Sequence, residues 1–263
     1  MSGTTRPFLI TGHPRSGTTV LTRVLNTHPQ IGATFELGAF LRLDTPYSEY
    51  RQGLRLGYGD RPVLGVGMGS PRGRRWASRR FLSGFRYRLW RRRGSPITLE
   101  TVTELLAESL GRPRVGDKLP EYVFALDDLG PREGLARIVI VRDCRAVTAS
   151  TLKRVRSGWS GQSWTKRIDT PEKIAANWIR AVAGIERHAG RLHIVRYEDL
   201  VDEPRGTLDR IADYLGVDPG RFDAELIRRP AEDRRRGRLD GDARAAVEAV
   251  AGDAMRRWGY ELA

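Results

Sequence analysis

Apolar residues in this chain gather in short unbroken runs, separated by stretches with helical spacing. Pro7-Phe-Leu-Ile-Thr11 is one such run and predicts a buried strand. Gly12 to Gly17, with Pro14 inside it, reads as a turn. Thr18 to Asn26 then sets Val20, Leu21, Val24 and Leu25 on one helical face. Ile31 to Phe35 is a candidate second strand, and Arg137-Ile-Val-Ile-Val141 is the clearest one. A helix is expected from Arg145 to Val155, then a loop from Ser157 to Asp169 carrying Trp159 and Trp164. Thr170-Pro171-Glu172 has the N-cap, N1 proline and first-turn acid of a helix running to about Ala189. His193 to Tyr197 reads as a strand. Further helices are expected at Thr98 to Gly111, Pro204 to Leu215 and Gly241 to Trp258, each closed by a glycine. Strands alternating with helices predict an α/β fold of three layers, with a mostly parallel central sheet flanked by helices.

Between Asp44 and Pro96 the pattern gives way to Gly, Pro and Arg with scattered aromatics. We read residues 1–263 as a single domain, with a basic insertion at about 44–113, partly helical up to Pro96, that is expected to shape the acceptor site. Hydrophobic residues make up 40% and charged residues 30%, as in an ordinary globular protein. No run approaches the roughly 18 to 20 apolar residues of a membrane span. The opening residues lack a basic, apolar, small-residue signal. The expectation is a soluble, cytoplasmic chain with no membrane span. A lone cysteine, Cys144, excludes an internal disulfide and a cysteine zinc cluster. The net charge of +14 fits an anionic ligand, an acidic surface or nucleic acid alike. It is concentrated: ten arginines and no acid lie between Arg72 and Arg93.

Two segments carry chemistry. Gly12-His-Pro-Arg-Ser-Gly17-Thr18-Thr19 follows a strand and opens a helix. Such a loop presents successive backbone N–H groups at the positive end of a helix dipole, which makes an anion cradle. Arg15, Ser16, Thr18 and Thr19 add side-chain donors. The spacing nearly matches the nucleotide P-loop, but Thr18 stands in the place of its lysine. ATP with Mg²⁺ is therefore disfavoured, and a donor that needs no metal fits better. The second segment is Val141-Arg142-Asp143-Cys144-Arg145, with Ser150 eight residues beyond Arg142. An arginine at a strand's carboxyl end sits where open α/β sheets bind ligands, and its planar fork suits a phosphate.

Pro14-Arg-Ser-Gly-Thr-Thr19 resembles the 5'-phosphosulfate loop of sulfotransferases that use 3'-phosphoadenosine-5'-phosphosulfate (PAPS). The resemblance implies a P-loop-like fold and a product, adenosine 3',5'-bisphosphate (PAP), bound without metal. It implies that Ser16, Gly17, Thr18 and Thr19 cradle the 5'-phosphate and that Arg15 faces the sulfuryl group. Arginine at position 15 is typical of the tyrosylprotein and carbohydrate branch. Arg142 and Ser150 are similar to the family's 3'-phosphate grip. Gly116-Asp-Lys-Leu-Pro120 resembles a segment whose lysine, here Lys118, lies near the transferred group. Arg196-Tyr-Glu-Asp-Leu200 and Met255-Arg-Arg-Trp-Gly-Tyr260 resemble the late strand end and the usual ending. Tyr197 is a candidate for the nucleotide pocket, or else a core tyrosine.

Glu36, twenty-one residues after Arg15, returns to the sheet's carboxyl edge and matches the catalytic glutamate of the tyrosylprotein branch. A glutamate there can take the acceptor's proton. His13 and His28 are the alternative bases, with His13 expected to order the cradle and His28 to be structural. The basic run Arg234 to Arg238 either closes over the donor or is a solvated charge run. The implied activity is sulfuryl transfer from PAPS to an acceptor hydroxyl on a sugar, lipid-linked glycan, phenol or peptide tyrosine. Homo-oligomer formation stays open, and no specific nucleic acid is expected. A P-loop-type kinase is one rival reading. The other is a basic nucleic-acid-binding module built on the arginine-rich stretch.

Overall fold

The first run forms a strand, Arg6–Thr11 (β1), and the helical spacing after it forms Thr18–Leu25 (α1) in the computed structural model. The structure describes residues 6–54, 62–65, 70–159, 161–227 and 239–262. Ile31–Phe35 is the second strand (β2). Tyr47–Gly53 (α2) and Pro71–Arg91 (α3) follow, then Leu99–Leu110 (α4), capped by the Thr98 side chain and closed by a left-handed Gly111. A strand at Arg114–Lys118 (β3) leads to a short helix at Leu126–Leu129 (α5) and to Ala136–Val141 (β4). Cys144–Ser157 (α6) and Pro171–His188 (α7) come next. His193–Arg196 (β5) runs straight into Tyr197–Asp202 (α8), and Pro204–Leu215 (α9) and Gly241–Arg257 (α10) complete the order.

The five strands make one parallel sheet in the order β2-β3-β1-β4-β5. It is the α/β sheet, flanked by helices, that the alternation predicts. Alternate residues of the central strands feed two cores. Leu9, Val139 and Val141 face the layer containing α4, α6, α7 and α10. Phe8, Ile10, Ile138 and Ile140 face the layer of α1, α8 and α9. Strands buried on both faces read as continuous apolar runs, which is why β1 and β4 stand out in the sequence.

β3 does not stand out. It lies at the heart of the sheet, between β2 and β1, yet its sequence is Arg-Val-Gly-Asp-Lys. Gly116 has no side chain because a Cβ there would come within 2.6 Å of Phe8. Asp117 and Lys118 are almost wholly buried and are satisfied by polar partners rather than by apolar ones. The polar text thus conceals a central strand. Two other boundaries differ from expectation. Tyr197 is the first residue of α8 rather than the last of β5. The basic excursion leaves and returns at one antiparallel bridge between Thr45 and Ile97. Beyond that bridge, α4 already packs against β2 and β3.

Candidate active site

All five strands end at one edge, and each end carries a residue singled out in the sequence. The order of the sheet puts β1 in the middle, with the chain crossing from β3 on one side to β4 on the other. A ligand crevice is expected at such a switch point.

The loop after β1 is shaped by backbone close approach. At Gly12 a Cβ would fall 2.2 Å from the carbonyl oxygen of Ile140, and at Gly17 it would fall 2.5 Å from the Tyr197 ring. Arg15 and Gly17 both hold positive φ, 76° and 104°. Residues alternating in this way turn neighbouring N–H groups toward a common centre, which is an anion nest. Gly17 caps α1 without a side-chain hydrogen bond, and the first turn has no acid. The helix N-terminus is therefore left for an anion. Ser16 is fully buried beneath the loop, and its Oγ has no hydrogen-bond partner among the described residues. Such an orphan is uncommon in a folded chain and marks a group waiting for a ligand or water.

His13 braces this loop. Its Nδ1 lies 2.8 Å from the carbonyl oxygen of Pro14, and its Nε2 lies 3.2 Å from the Asn177 side chain on α7. With the proton on Nδ1, the ring donates to Pro14 and accepts from Asn177. Burial pushes its pKa down to about 4, and the Arg180 charge adds to that. Both ring nitrogens are engaged, as the expected ordering role requires.

At the ends of β2 and β3, Lys118 donates through Nζ to Glu36 Oε1 at 2.7 Å. Lys118 is 2% exposed and Glu36 is 32% exposed, so both residues line the cleft and the carboxylate has the larger open surface. Glu36 has φ of 59°, a left-handed backbone that a non-glycine residue adopts only when its surroundings enforce it. The enforcing group is Asp117. Its buried carboxylate accepts from Thr34 Oγ1 (2.6 Å), Tyr122 Oη (2.7 Å), and the N–H groups of Leu37, Gly38 and Ala39. Burial raises the pKa of Asp117, and these donors pull it back. The chain immediately after Glu36 is therefore tied to the residue immediately before Lys118. Sequence reading missed Asp117; its only signal is the acid next to Lys118 in an otherwise buried stretch.

At the end of β4, Asp143 and Arg145 make the ion pair, at 2.7 Å, and Asp143 also caps α6. This leaves Arg142 without a carboxylate partner among the described residues. Its guanidinium lies 4.1 Å above the Tyr197 ring and donates to the carbonyl oxygen of Arg15 at 3.3 Å. Ser150, two turns into α6, accepts from Arg15 Nε at 3.0 Å. Arg15 thus reaches across to α6, and the two sequence segments meet in one place.

The resulting cleft encloses about 430 Å³. Arg15, Gly17, Thr18, Thr19, Glu36, Lys118, Arg142, Ser150 and Tyr197 all line it, and Ser16 lies just beneath. Sequence reading missed Lys153 and Arg154, which line it three and four residues beyond Ser150 on the same face of α6. That spacing was the available signal. His28 is elsewhere: it lies 3.0 Å from the carbonyl oxygen of Asp218 and packs on Phe222. Cys144 is buried, with its thiol pushed up to about 12. The run Arg234 to Arg238 lies outside the described residues. Among the described residues, no cluster of His, Cys, Asp and Glu could hold a metal ion, and no helix is long and apolar enough to cross a membrane.

The profile of the sulfotransferase family matches residues 7–221. The chain belongs to that family. Its fold is similar to solved sulfotransferases from three sources. One is the sulfotransferase domain of the curacin biosynthetic pathway, 19% identical over 98% of each chain with a TM-score of 0.58. Another is that of the Synechococcus PCC 7002 olefin synthase, 21% identical over 98% of this chain and 95% of the other, with a TM-score of 0.59. The third is a sulfotransferase from Alicyclobacillus acidocaldarius, 16% identical over 98% and 97%, with a TM-score of 0.55. No curated protein sequence matches the chain.

Proposed function

We propose that this sulfotransferase takes its sulfuryl group from PAPS and delivers it to an acceptor hydroxyl, with Glu36 as the base. The observation that carries the reading is the convergence of the Glu36–Lys118 pair, the glycine-loop nest and Arg142, which has no carboxylate partner among the described residues, on one cleft. The donor fits the residues present. The orphaned Ser16 Oγ, the uncapped start of α1 and the two positive-φ positions suit a 5'-phosphate. Arg142 and Ser150 suit a 3'-phosphate, and the Gly17–Tyr197 contact shapes the wall between.

When bound, PAPS supplies an activated sulfuryl group, whose bond to the 5'-phosphate breaks as the acceptor oxygen bonds to sulfur. The chain's own groups do the rest by position and charge. Glu36 accepts the acceptor's proton on a carboxylate oxygen. Lys118 orients that carboxylate beforehand. Once Glu36 is protonated, the ammonium charge of Lys118 is released from its partner and can serve the oxygens where negative charge grows. Arg15 adds a second cation on the other side of the cleft. A glutamate base together with an arginine in the loop favours the tyrosylprotein and carbohydrate branch of the family. The acceptor belongs to the broad class of hydroxyls on sugars, lipid-linked glycans, phenols or peptide tyrosines.

The test is mass spectrometry of cell extracts incubated with the enzyme and PAPS, in the presence of a chelator. The expected result is a product heavier by one SO₃ unit that needs PAPS and forms about a hundredfold or more slower with Glu36→Gln. PAPS-independent products, or a chelator-sensitive gain of phosphate from ATP, would overturn the reading.

A further inference from the structure

The ten-arginine stretch plays no part in the cleft, and its structure says more than its composition does. α3 buries Ser78, Phe81, Phe85 and Leu89 against the body of the protein, a spacing of three and four that defines one face. Arg88 and Arg92 are spent on α4, where they pair with Glu108 and Glu104. At 100° per residue, Trp76, Arg79, Arg80, Tyr87, Trp90 and Arg91 project on the opposite side. Trp76 is 65% exposed, Tyr87 60% and Trp90 46%, so three large aromatics lie along the line farthest from the core, flanked by cations. From Trp76 to Trp90 that line runs about 21 Å. Exposed aromatics of this size are rarely aligned on a surface that meets only water.

We propose that the outward face of α3 docks on the headgroup layer of an anionic lipid membrane. The shape decides the occupant. A helix with a straight row of rings and cations touches a flat surface along its whole length, and none of the three clefts found among the described residues is lined by α3. Tryptophan and tyrosine settle at the headgroup level, and arginines meet lipid phosphates. Stacking bases of a nucleic acid would need free ring faces. Here Arg93 sits 3.9 Å over Trp90, Tyr87 stacks on Trp90, and Arg80 lies 5.6 Å over Trp76. The absence of any acid between Arg72 and Arg93 removes the repulsion that an anionic surface would otherwise meet. The placement also matters for the cleft. Ser78 accepts from the N–H of Leu64, and the neighbouring Val63 carbonyl accepts from Phe35, the residue before Glu36. α3 therefore stands on the Glu36 side, where hydroxyl acceptors presented at a membrane would arrive.

The experiment is co-sedimentation of the full chain with vesicles of phosphatidylcholine alone and of phosphatidylcholine mixed with phosphatidylglycerol, at low and at physiological salt. Binding is expected only to the mixed vesicles, weakening with salt. Arg79→Gln/Arg80→Gln/Arg91→Gln should reduce it by about fivefold per arginine removed. Trp76→Ala/Tyr87→Ala/Trp90→Ala should reduce it at unchanged net charge, which bulk charge alone cannot explain. Both variants alter exposed positions and should keep the wild-type melting curve. Four results would each overturn the proposal. One is no binding to mixed vesicles at low salt, and another is undiminished, wild-type binding by either variant. The third is preference for single-stranded RNA over vesicles at matched salt. The fourth is a dimer in gel filtration that only the aromatic variant dissolves.

Discussion

Glu36 holds a strained backbone, a buried ammonium partner and an opening to the cleft, and each makes a different demand on a substitution. Glu36→Gln keeps the size of the side chain and a hydrogen bond to Lys118 but cannot take a proton at neutral pH. Turnover should fall by roughly 10² to 10⁴, the usual span for a general base, while PAP affinity stays near wild type. Stopped assays with the identified acceptor and calorimetry with PAP separate the two. A near-normal rate would remove Glu36 from the base role. His13 makes a prediction about pH. Its folded pKa of about 4 lies below the unfolded value, so the unfolded chain binds the proton more readily. Stability from this residue is complete above about pH 6.5 and declines as pH falls toward 4. Wild type should lose about 2 kcal/mol more than His13→Gln between pH 7 and 4.5, in urea unfolding at the two pH values. Equal losses would show that the ring is not held neutral. At this scale the sequence spoke clearly where chemistry is local. The loop Gly12 to Thr19 and the pair Arg142 and Ser150 sit within single segments. The contact of Arg15 with Ser150 joins residues far apart in the chain, and no single-sequence pattern carries that.

Among the elements, β3 and the turn after β2 have the largest energetic stake. Five donors converge on the Asp117 carboxylate, and removing it strands them in the core. Asp117→Ala should destabilise the fold by about 3 kcal/mol or more, given a cost of roughly 1–3 kcal/mol for each buried group left unpaired. Asp117→Asn keeps the volume but turns one acceptor into a donor against N–H groups, and should lie between. Denaturant midpoints for the three chains would order them; an alanine variant as stable as wild type would contradict the account. Gly17→Ala is a second element-level test, because its Cβ would meet Tyr197 at 2.5 Å in a backbone at φ 104°. Loss of PAP binding in a folded protein is expected, since the cradle must open to relieve the clash. Helices were legible here because caps and spacing are local: Thr98, Thr170 and Asp240 each accept from an N–H of the first turn they cap. β3 was not legible, because its burial is satisfied by polar partners on other strands, and hydrophobic patterning detects only apolar satisfaction.

In the whole molecule, five strand ends contribute to a single edge. The family match over residues 7–221 spans all five of those strands. The α/β class was legible because β1 and β4, the strands buried on both faces, announce themselves. The course of residues 44–97 was less legible, because the one apolar face of α3, at Phe81, Phe85 and Leu89, is set in a run of arginines, and the bridge between Thr45 and Ile97 joins residues far apart in the chain. The central claim is that the cleft binds a nucleotide with phosphates at both ends and needs no metal to do so. Calorimetric titration with PAP in the presence of a chelator, for wild type and Arg142→Ala, tests it most directly. The account predicts binding by wild type and a loss of about 1.5 to 3 kcal/mol, roughly 10- to 150-fold, in a variant that keeps its melting temperature without ligand. Undetectable binding by wild type, or equal affinity in a folded Arg142→Ala, would contradict it.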